Sequence, residues 1–231
     1  MHLTWLGLSA FKIESKDAVI VTDPFAPPHA EKTLRAKADL VTVSNPEDDA
    51  HNHVSAILGS PFVIDTPGEF EVKGVYVQGI GLWRQEAESA TERPRSRKQS
   101  AASSEQAAAA STVCTFELEG MRLAHLGDLR GVPPADILER IDGVDLLFIP
   151  VGGGTTLEPD AAMKVVNAVE PRVVVPMHFR SEGLRDKLLP ADVFLREIGA
   201  SKVEPLERAT IKKRDLTEEG TTVMLFRASG T

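Results

Sequence analysis

The sequence contains one cysteine, Cys114, among its 231 residues. An intrachain disulfide is therefore excluded, and this cysteine content fits a reducing compartment. Long apolar stretches are also missing, since no uninterrupted run approaches the roughly 20 residues that a membrane-spanning helix needs. The N-terminal segment lacks the basic and apolar regions of a secretion signal. We therefore expect a cytoplasmic protein that is not inserted in a membrane.

Positive charge is in deficit. The 26 Lys and Arg residues are outnumbered by 34 Asp and Glu residues, which gives a formal net charge of −8. Such a balance provides no general attraction to phosphate backbones, so we do not expect a nucleic-acid partner. A short basic run at 93–98 is more typical of a solvated linker than of a nucleic-acid contact.

The composition changes sharply between about residues 84 and 111. Glu, Arg, Ser, Gln and Ala dominate this stretch, and its apolar residues follow no sustained period. These features predict a disordered insert. The whole chain, 1–231, is interpreted as one domain that contains this insert, because its length suffices for one substantial core.

Strands dominate the first half outside the insert, and strands alternate with helices in the second half. The predicted strands are 2–6, 11–14, 18–22, 40–44, 61–65, 70–80, 112–118, 121–126, 145–150, 172–176 and 221–226, and the predicted helices are 47–58, 133–141, 159–169 and 190–198. This order predicts an α/β protein with two sheets that are covered by helices.

Six segments, in this order, resemble the ascorbate-lactonase-like branch of the metallo-β-lactamase superfamily. They are TWLGLSAFKI (4–13), TDPF (22–25), VIDTPGEFEVKGVYVQGI (63–80), LAHLGDL (123–129), LLFIPVGGGTTLEPDAA (146–162) and VVVPMHF (173–179). The resemblance implies a four-layer αββα sandwich. It also implies a metal-dependent hydrolase with a small-molecule substrate, namely a lactone, an ester or a phosphodiester. In such enzymes, histidines and carboxylates at strand ends hold metal ions that activate water.

Only part of the family's ligand set is present. The resemblance implies that Asp128 is the metal-bridging carboxylate and that His178 is the last histidine ligand, and it places both in the catalytic centre. The segment 81–85, where a further histidine is expected, contains none. The sequence therefore predicts an atypical or degenerate metal site.

The largest departure lies in the loop after the fourth predicted strand, where relatives carry His-x-His-x-Asp-His. Aligned from the strand side, the three histidines become Asn45, Glu47 and Ala50, and only Asp49 is retained as a metal ligand and catalytic group. Aligned from the other side with one inserted residue, His51 takes the place of the last histidine. Carboxylate-rich ligation by Glu47 or Asp49 would favour manganese over zinc.

A second interpretation of the same loop needs no metal. Asn45 is a good N-cap, Pro46 suits the first helical position, and the acidic residues that follow would stabilise the positive end of a helix. On such a helix His51 and His53 would lie about 200° apart, so at most one of them could face an ion. Both interpretations stay open at the level of the sequence.

Two further carboxylates resemble groups that orient metal ligands, namely Asp23 and Glu69, although both also suit turns. His29 and His125 are interpreted as surface or core histidines. Two functions follow. The first is a metal-dependent hydrolase with zinc or manganese. The second is a catalytically inactive relative that binds a small molecule or a protein partner.

Overall fold

Fifteen short strands and three α-helices build the described part of the protein, residues 1–27, 29–31, 34–82, 111–217 and 219–229 of a computed structural model. The strands are β1 (His2–Gly7), β2 (Ala10–Glu14), β3 (Val19–Thr22), β4 (Ala36–Lys37), β5 (Leu40–Thr42), β6 (Ile57–Leu58), β7 (Phe62–Ile64), β8 (Gly68–Val72), β9 (Val75–Leu82), β10 (Ser111–Leu118), β11 (Met121–His125), β12 (Leu146–Pro150), β13 (Val173–Met177), β14 (Ala209–Thr210) and β15 (Thr222–Val223). The helices are α1 (Ala135–Arg140), α2 (Pro159–Val169) and α3 (Ala191–Glu197).

The first large sheet has six strands in the order β14-β1-β2-β3-β5-β7. β1, β2 and β3 form an antiparallel meander, whereas β3, β5 and β7 run parallel. Side chains of a strand alternate between its two faces, and here Ile20 belongs to the main core while its neighbour Val21 belongs to a second cluster on the opposite face.

The second large sheet has seven strands in the order β15-β13-β12-β11-β10-β9-β8. Its first half is parallel, from β11 to β15, and its second half is antiparallel. β12 and β13 are buried along their whole length. Such continuous burial is typical of parallel strands that are covered on both faces.

Aromatic side chains join the two sheets. The ring of Phe11 in β2 lies 4.9 Å from that of Phe148 in β12 and 5.7 Å from that of Phe226, both in edge-on arrangements. Trp5 and Phe179 extend this contact, with ring centroids 4.6 Å apart. The interface between the sheets is therefore the main core, and the α/β sandwich predicted from the sequence is confirmed.

The predicted helix at 47–58 is wrong. The chain there forms successive turns, then a single 3-10 turn at Val54–Ala56 and the short strand β6. Side chains explain the difference: the amide oxygen of Asn45 accepts the backbone N–H of Glu47 at 3.1 Å, and Asp48 Oδ1 accepts that of Ala50 at 3.0 Å. Asn and Asp bonded in this way replace the first hydrogen bonds of a helix with turns.

Other elements match the prediction more closely. α2 has the predicted bounds, and the strand predicted at 70–80 is a hairpin, β8 and β9, that turns at Lys73 and Gly74. Ser111, which we assigned to the insert, begins β10, while the rest of the predicted insert lies outside the described residues. β4, β6 and β14 were not predicted. Within the described ranges, no helix is both long and apolar enough to cross a membrane.

Candidate metal centre

The carboxyl ends of four strands, two from each large sheet, meet at one edge of the sandwich. They carry Asp23 after β3, Ser44 after β5, Asp128 after β11 and His178 after β13. All four residues are at most 4% exposed. The topology therefore brings residues that are far apart in the sequence into one buried cluster.

Ser44 joins the two sheets at this edge. Its backbone N–H donates to Asp23 Oδ1 at 2.6 Å, and its hydroxyl donates to Asp23 Oδ2 at 2.7 Å. The Ser44 hydroxyl oxygen also accepts the backbone N–H of Asp128 at 3.0 Å. This approach is possible because residue 127 is glycine, where an added Cβ would lie 2.1 Å from Ser44 Cβ.

His51 lies between the two carboxylates. Its Nδ1 is 3.1 Å from Asp23 Oδ2, and its Nε2 is 3.8 Å from Asp128 Oδ1. Because a carboxylate only accepts hydrogen bonds, Nδ1 carries the proton and Nε2 is left for another ligand. A histidine that binds a metal through one ring nitrogen usually donates a hydrogen bond from the other ring nitrogen to a carboxylate or a similar acceptor.

Three groups could share an ion at this point. Ligand atoms of Asp48, His51 and Asp128 all lie within 4.8 Å of one another. Two ligands at about 2.1 Å from a tetrahedral ion would be about 3.4 Å apart, and the largest separation they could have is about 4.2 Å. The 3.8 Å between His51 Nε2 and Asp128 Oδ1 lies within this range and fits a common ion. The donor set of one imidazole and two carboxylates suits a single divalent metal.

His178 lies beside this group, with its ring 5.3 Å from that of His51 and nearly parallel to it. Its Nδ1 is 2.9 Å from the Ser9 hydroxyl, and its backbone N–H donates to the Leu8 carbonyl. Burial and the neighbouring His51 lower the pKa of His178 to about 3. The ring is therefore neutral near pH 7, which is the form that binds metal.

Asp128 already has partners. Arg130 donates to its carboxylate from two nitrogens: Nη2 is 2.7 Å from Oδ2, and Nε is shared between the two oxygens, 3.0 Å from Oδ2 and 3.1 Å from Oδ1. Asn45 Nδ2 donates to the same Oδ2 at 2.9 Å. Arg130 Nη2 also reaches Asp48 Oδ2 at 3.3 Å. A fork of this kind is the strongest side-chain contact that arginine makes with a carboxylate.

The surplus of negative charge shows in the pKa values. Burial opposes a charge on His51, but Asp23 and then Asp128 outweigh it, and the pKa of His51 is raised. Burial likewise opposes ionisation of Asp23, yet His51 keeps the pKa of Asp23 below its ordinary value. The cluster therefore favours positive charge at its centre.

His125 lies deeper in the same cluster. Its Nε2 donates to the Ser9 carbonyl at 2.9 Å, and its Nδ1 is 4.0 Å from Asp23 Oδ2. Burial lowers the pKa of His125. It is a core histidine, as expected, and it supports the residues beneath the site.

The structure brings together Asp128, His51, His178 and Asp23 from the predicted site. Asp49 lies outside this group but forms a second one, because ligand atoms of His29, Asp48 and Asp49 also lie within 4.8 Å of one another. In that group His29 Nε2 is 2.7 Å from Asp49 Oδ1, and His29 Nδ1 is 3.0 Å from Asp186 Oδ1. Exposed Glu47 accompanies Asp49 on the wall of a cleft of about 470 Å³ that Asp48 and Arg130 also line. Exposed Glu69 accepts a hydrogen bond from Gln78 in a different cleft beside α1.

Sequence reasoning missed Asp48, Arg130, Ser44 and Ser9. The one available signal for Arg130 was its position two residues after a strand-end aspartate, in Gly127-Asp128-Leu129-Arg130. Serines and turn aspartates are common in loops, so the remaining three residues carried no comparable signal.

Comparison with known proteins agrees with this architecture. The profile of the beta-lactamase superfamily domain matches residues 2–178. A crystal structure from Thermotoga maritima, described as that of a candidate Zn-dependent hydrolase of the metallo-beta-lactamase superfamily, shares 30% identity at a TM-score of 0.73, over 98% of this chain and 99% of that one. A metallo hydrolase from Ignicoccus hospitalis, at 18% identity and a TM-score of 0.61 over 91% of this chain and 99% of that one, shares the fold.

A sequence relative described as a UPF0173 metal-dependent hydrolase, from Thermococcus onnurineus, is 25% identical over 209 residues, which cover 78% of this chain and 85% of that protein. A UPF0173 protein from Pyrococcus furiosus is 28% identical over 186 residues, with 78% and 83% coverage. The matched profile spans well over half of the chain. This protein therefore belongs to the metallo-β-lactamase superfamily.

Proposed function

We propose that this protein is a metal-dependent hydrolase whose site holds one divalent ion, zinc or manganese, through His51 and Asp128, with Asp48 at the open side of the site and the neutral His178 beside it. The observation that carries the proposal is the orientation of His51. Its Nδ1 is hydrogen-bonded to the buried Asp23, and its Nε2 is 3.8 Å from Asp128 Oδ1. A histidine held in this way matches the ligand geometry of metal sites.

An ion bound by these groups would supply Lewis-acid activation of a water molecule and of the substrate's carbonyl or phosphoryl oxygen. Asp23 and Ser9 fix the rings of His51 and His178, respectively. Asp48 is half-buried between the cluster and the cleft. In the proposed reaction its carboxylate would accept a proton from a water molecule that enters from the solvent.

Support also comes from the relatives. Several proteins that match most of this chain are described as metal-dependent hydrolases. A fold alone does not establish an activity, so the proposal rests on this description together with the donor set. The substrate classes that we propose are a lactone, an ester and a phosphodiester, each a small molecule.

Metal binding provides the first test. Isothermal titration with zinc and with manganese should give one ion per chain, and His51→Gln and Asp128→Asn should each weaken binding at least tenfold, since outer-shell partners alone are worth about 10–100-fold. His2→Gln is the matched control, because His2 contacts Thr210 away from the site and its replacement should leave affinity unchanged.

Hydrolysis provides the second test. The metal-loaded protein should cleave a member of a panel of lactones, esters and phosphodiesters, and Asp128→Asn should abolish this activity while circular dichroism shows an intact fold. Zinc and manganese that neither bind nor raise the melting temperature would refute the proposal.

One observation favours a second function, a binding module without catalysis. Arg130 and Asn45 already satisfy Asp128, so its charge is balanced by protein groups alone. In that case the protein would bind a small molecule or a protein partner in the cleft, the fold would stay intact without metal, and no panel substrate would be hydrolysed. Metal-dependent turnover that is lost in Asp128→Asn excludes this function.

A further inference from the structure

The guanidinium of Arg130 lies on the carboxylate that, by resemblance, would bridge two metal ions. Its Nε and Nη2 donate hydrogen bonds to the two carboxylate oxygens of Asp128, and Nη2 also donates to Asp48 Oδ2. These are two of the three groups that converge on the candidate ion. Arg130 therefore brings a permanent positive charge to the site, because an arginine stays protonated at all physiological pH values.

The two oxygens of Asp128 are not equivalent. Oδ2 accepts the shortest Arg130 contact, 2.7 Å from Nη2, and also the Asn45 amide at 2.9 Å. Oδ1 has only a share of the Nε–H, at 3.1 Å against 3.0 Å for Oδ2, and it lies 3.8 Å from His51 Nε2. Oδ1 is thus the oxygen that would face an ion held by His51, and Oδ2 is the oxygen that Arg130 and Asn45 neutralise.

Two positions that would supply ligands for a second ion at Asp128 carry other residues here. In the alignment made from the strand side, the resemblance places histidines at the positions that Asn45 and Glu47 occupy. Asn45 donates its amide N–H to Asp128 instead of offering a lone pair, and Glu47 is exposed on the cleft wall. The replaced histidine positions and the Arg130 guanidinium therefore concern the same carboxylate, that of Asp128.

We infer that Arg130 takes the place of a second metal ion: Asp128 bridges one divalent ion through Oδ1 and the Arg130 guanidinium through Oδ2. The inference rests on the proposed function and specifies its site as a mononuclear centre with a built-in second cation. The Arg130 side chain is 55% exposed, and within the described part of the chain its Nη1 makes no hydrogen bond. Nη1 is therefore available to a substrate oxygen that gains negative charge, a role that a second metal ion would otherwise serve.

Nuclear magnetic resonance tests this arrangement without any substrate. The Nε–H signal of Arg130, assigned by its loss in Arg130→Gln, should be protected from exchange in the metal-free protein and should stay protected when zinc saturates the site. Elemental analysis of the zinc-loaded protein should give one ion per chain. Loss of protection on zinc binding, which would show that the ion displaces the guanidinium, overturns the inference, and so does a count of two ions.

Zinc affinity gives an independent test. Arg130→Gln removes a positive charge beside the ion and should bind zinc at least about tenfold more tightly, since like charges a few Å apart repel appreciably even near the surface. Arg196→Gln is the matched control, because Arg196 pairs with Asp192 on α3 and is similarly exposed. The zinc affinity of this variant should equal that of the wild type.

Weaker or unchanged zinc binding in Arg130→Gln would contradict a role as a second cation. Arg130→Lys keeps the charge without the fork, so it should retain affinity close to that of the wild type. These outcomes concern the inference alone. Only a wild-type protein that binds no metal at all removes the proposed function, and the inference with it.

Discussion

Ser44 and Gly127 show how single residues determine the geometry of the candidate site. The Ser44 side chain bonds to both Asp23 and Asp128 from the space that a side chain at position 127 would occupy. Gly152 has a similar role on the other side, where an added Cβ would lie 2.1 Å from the His178 carbonyl oxygen. The glycines next to the ligands therefore serve close packing of strand ends.

Gly127→Ala should destabilise the protein by about 2–5 kcal/mol. The backbone of Gly127 has a φ of +53°, which costs an alanine about 1–2 kcal/mol, and the clash of the added Cβ with Ser44 adds about 1–3 kcal/mol. Gly143→Ala is the control, since Gly143 has a φ of +63° and no atom within 4 Å of its added Cβ. Urea unfolding measures both, and equal losses would show that the contact with Ser44 contributes nothing.

Elements with a regular pattern were predictable, and the loops that carry the site were only partly so. β3, β12 and β13 have the apolar and β-branched runs of buried strands, and each was placed to within one or two residues. The residues after β5 have a helical pattern and suit helix capping, but the Asn45 and Asp48 side chains form turns instead. The same local side-chain bonds suit a cap or a turn. Here the contacts of Asn45 with Asp128 and of Asp48 with Arg130 accompany the turns, and local sequence does not encode these contacts.

In the candidate site too, residues at the ends of regular strands were predictable and residues in irregular loops were not. Asp128 and His178 were found because they end strands with recognisable sequences, and His51 was one of two open alternatives. Arg130 lies in an irregular loop, so its fork on Asp128 depends on a backbone path that no periodicity predicts. The residues that tune the charge of the site are thus less visible in the sequence than its ligands.

Glu14 at the end of β2 gives a pH-dependent prediction for an element. The hydrogen bond from Lys12, supported by Arg208, keeps the pKa of Glu14 below its ordinary value despite partial burial. A carboxyl with a lowered folded-state pKa stabilises the protein above the unfolded-state pKa, and this stability is lost as the pH falls through the folded-state value.

Glu14→Gln should therefore be less stable than the wild type by about 0.5–1 kcal/mol at pH 7, as is usual for partly exposed ion pairs. The difference should shrink below the ordinary glutamate pKa and vanish below the lowered one. Glu71→Gln, at an exposed glutamate of β8, is the control and should match the wild type at every pH. Denaturant titrations across this range measure the effect, and a difference that does not change with pH would argue against it.

At the scale of the whole molecule, the core between the two sheets fixes the relative position of the strand ends. Asp23 and Ser44 follow strands of the first sheet, whereas Asp128 and His178 follow strands of the second. The candidate ligands therefore converge only if the sheets keep their packing. Phe11 and Phe148 form the central contact between them, with ring centroids 4.9 Å apart.

Phe11→Leu and Phe148→Leu should each destabilise the protein, and the double variant should lose less than the sum of the two. A buried aromatic pair in an edge-on arrangement contributes about 0.5–1.5 kcal/mol beyond its area, and a double-mutant cycle isolates this energy because the two rings are in contact. Phe11→Leu combined with Phe194→Leu is the control, because Phe194 lies in α3 and its ring has no aromatic contact with Phe11 among the described residues. Those two losses should add within about 0.5 kcal/mol. If the site depends on the packing of the sheets, the Phe11/Phe148 double variant should also bind zinc more weakly than the Phe11/Phe194 double variant, both measured under conditions where each is fully folded. Equal zinc affinity would show that the candidate ligands are positioned by their own loops rather than by the core.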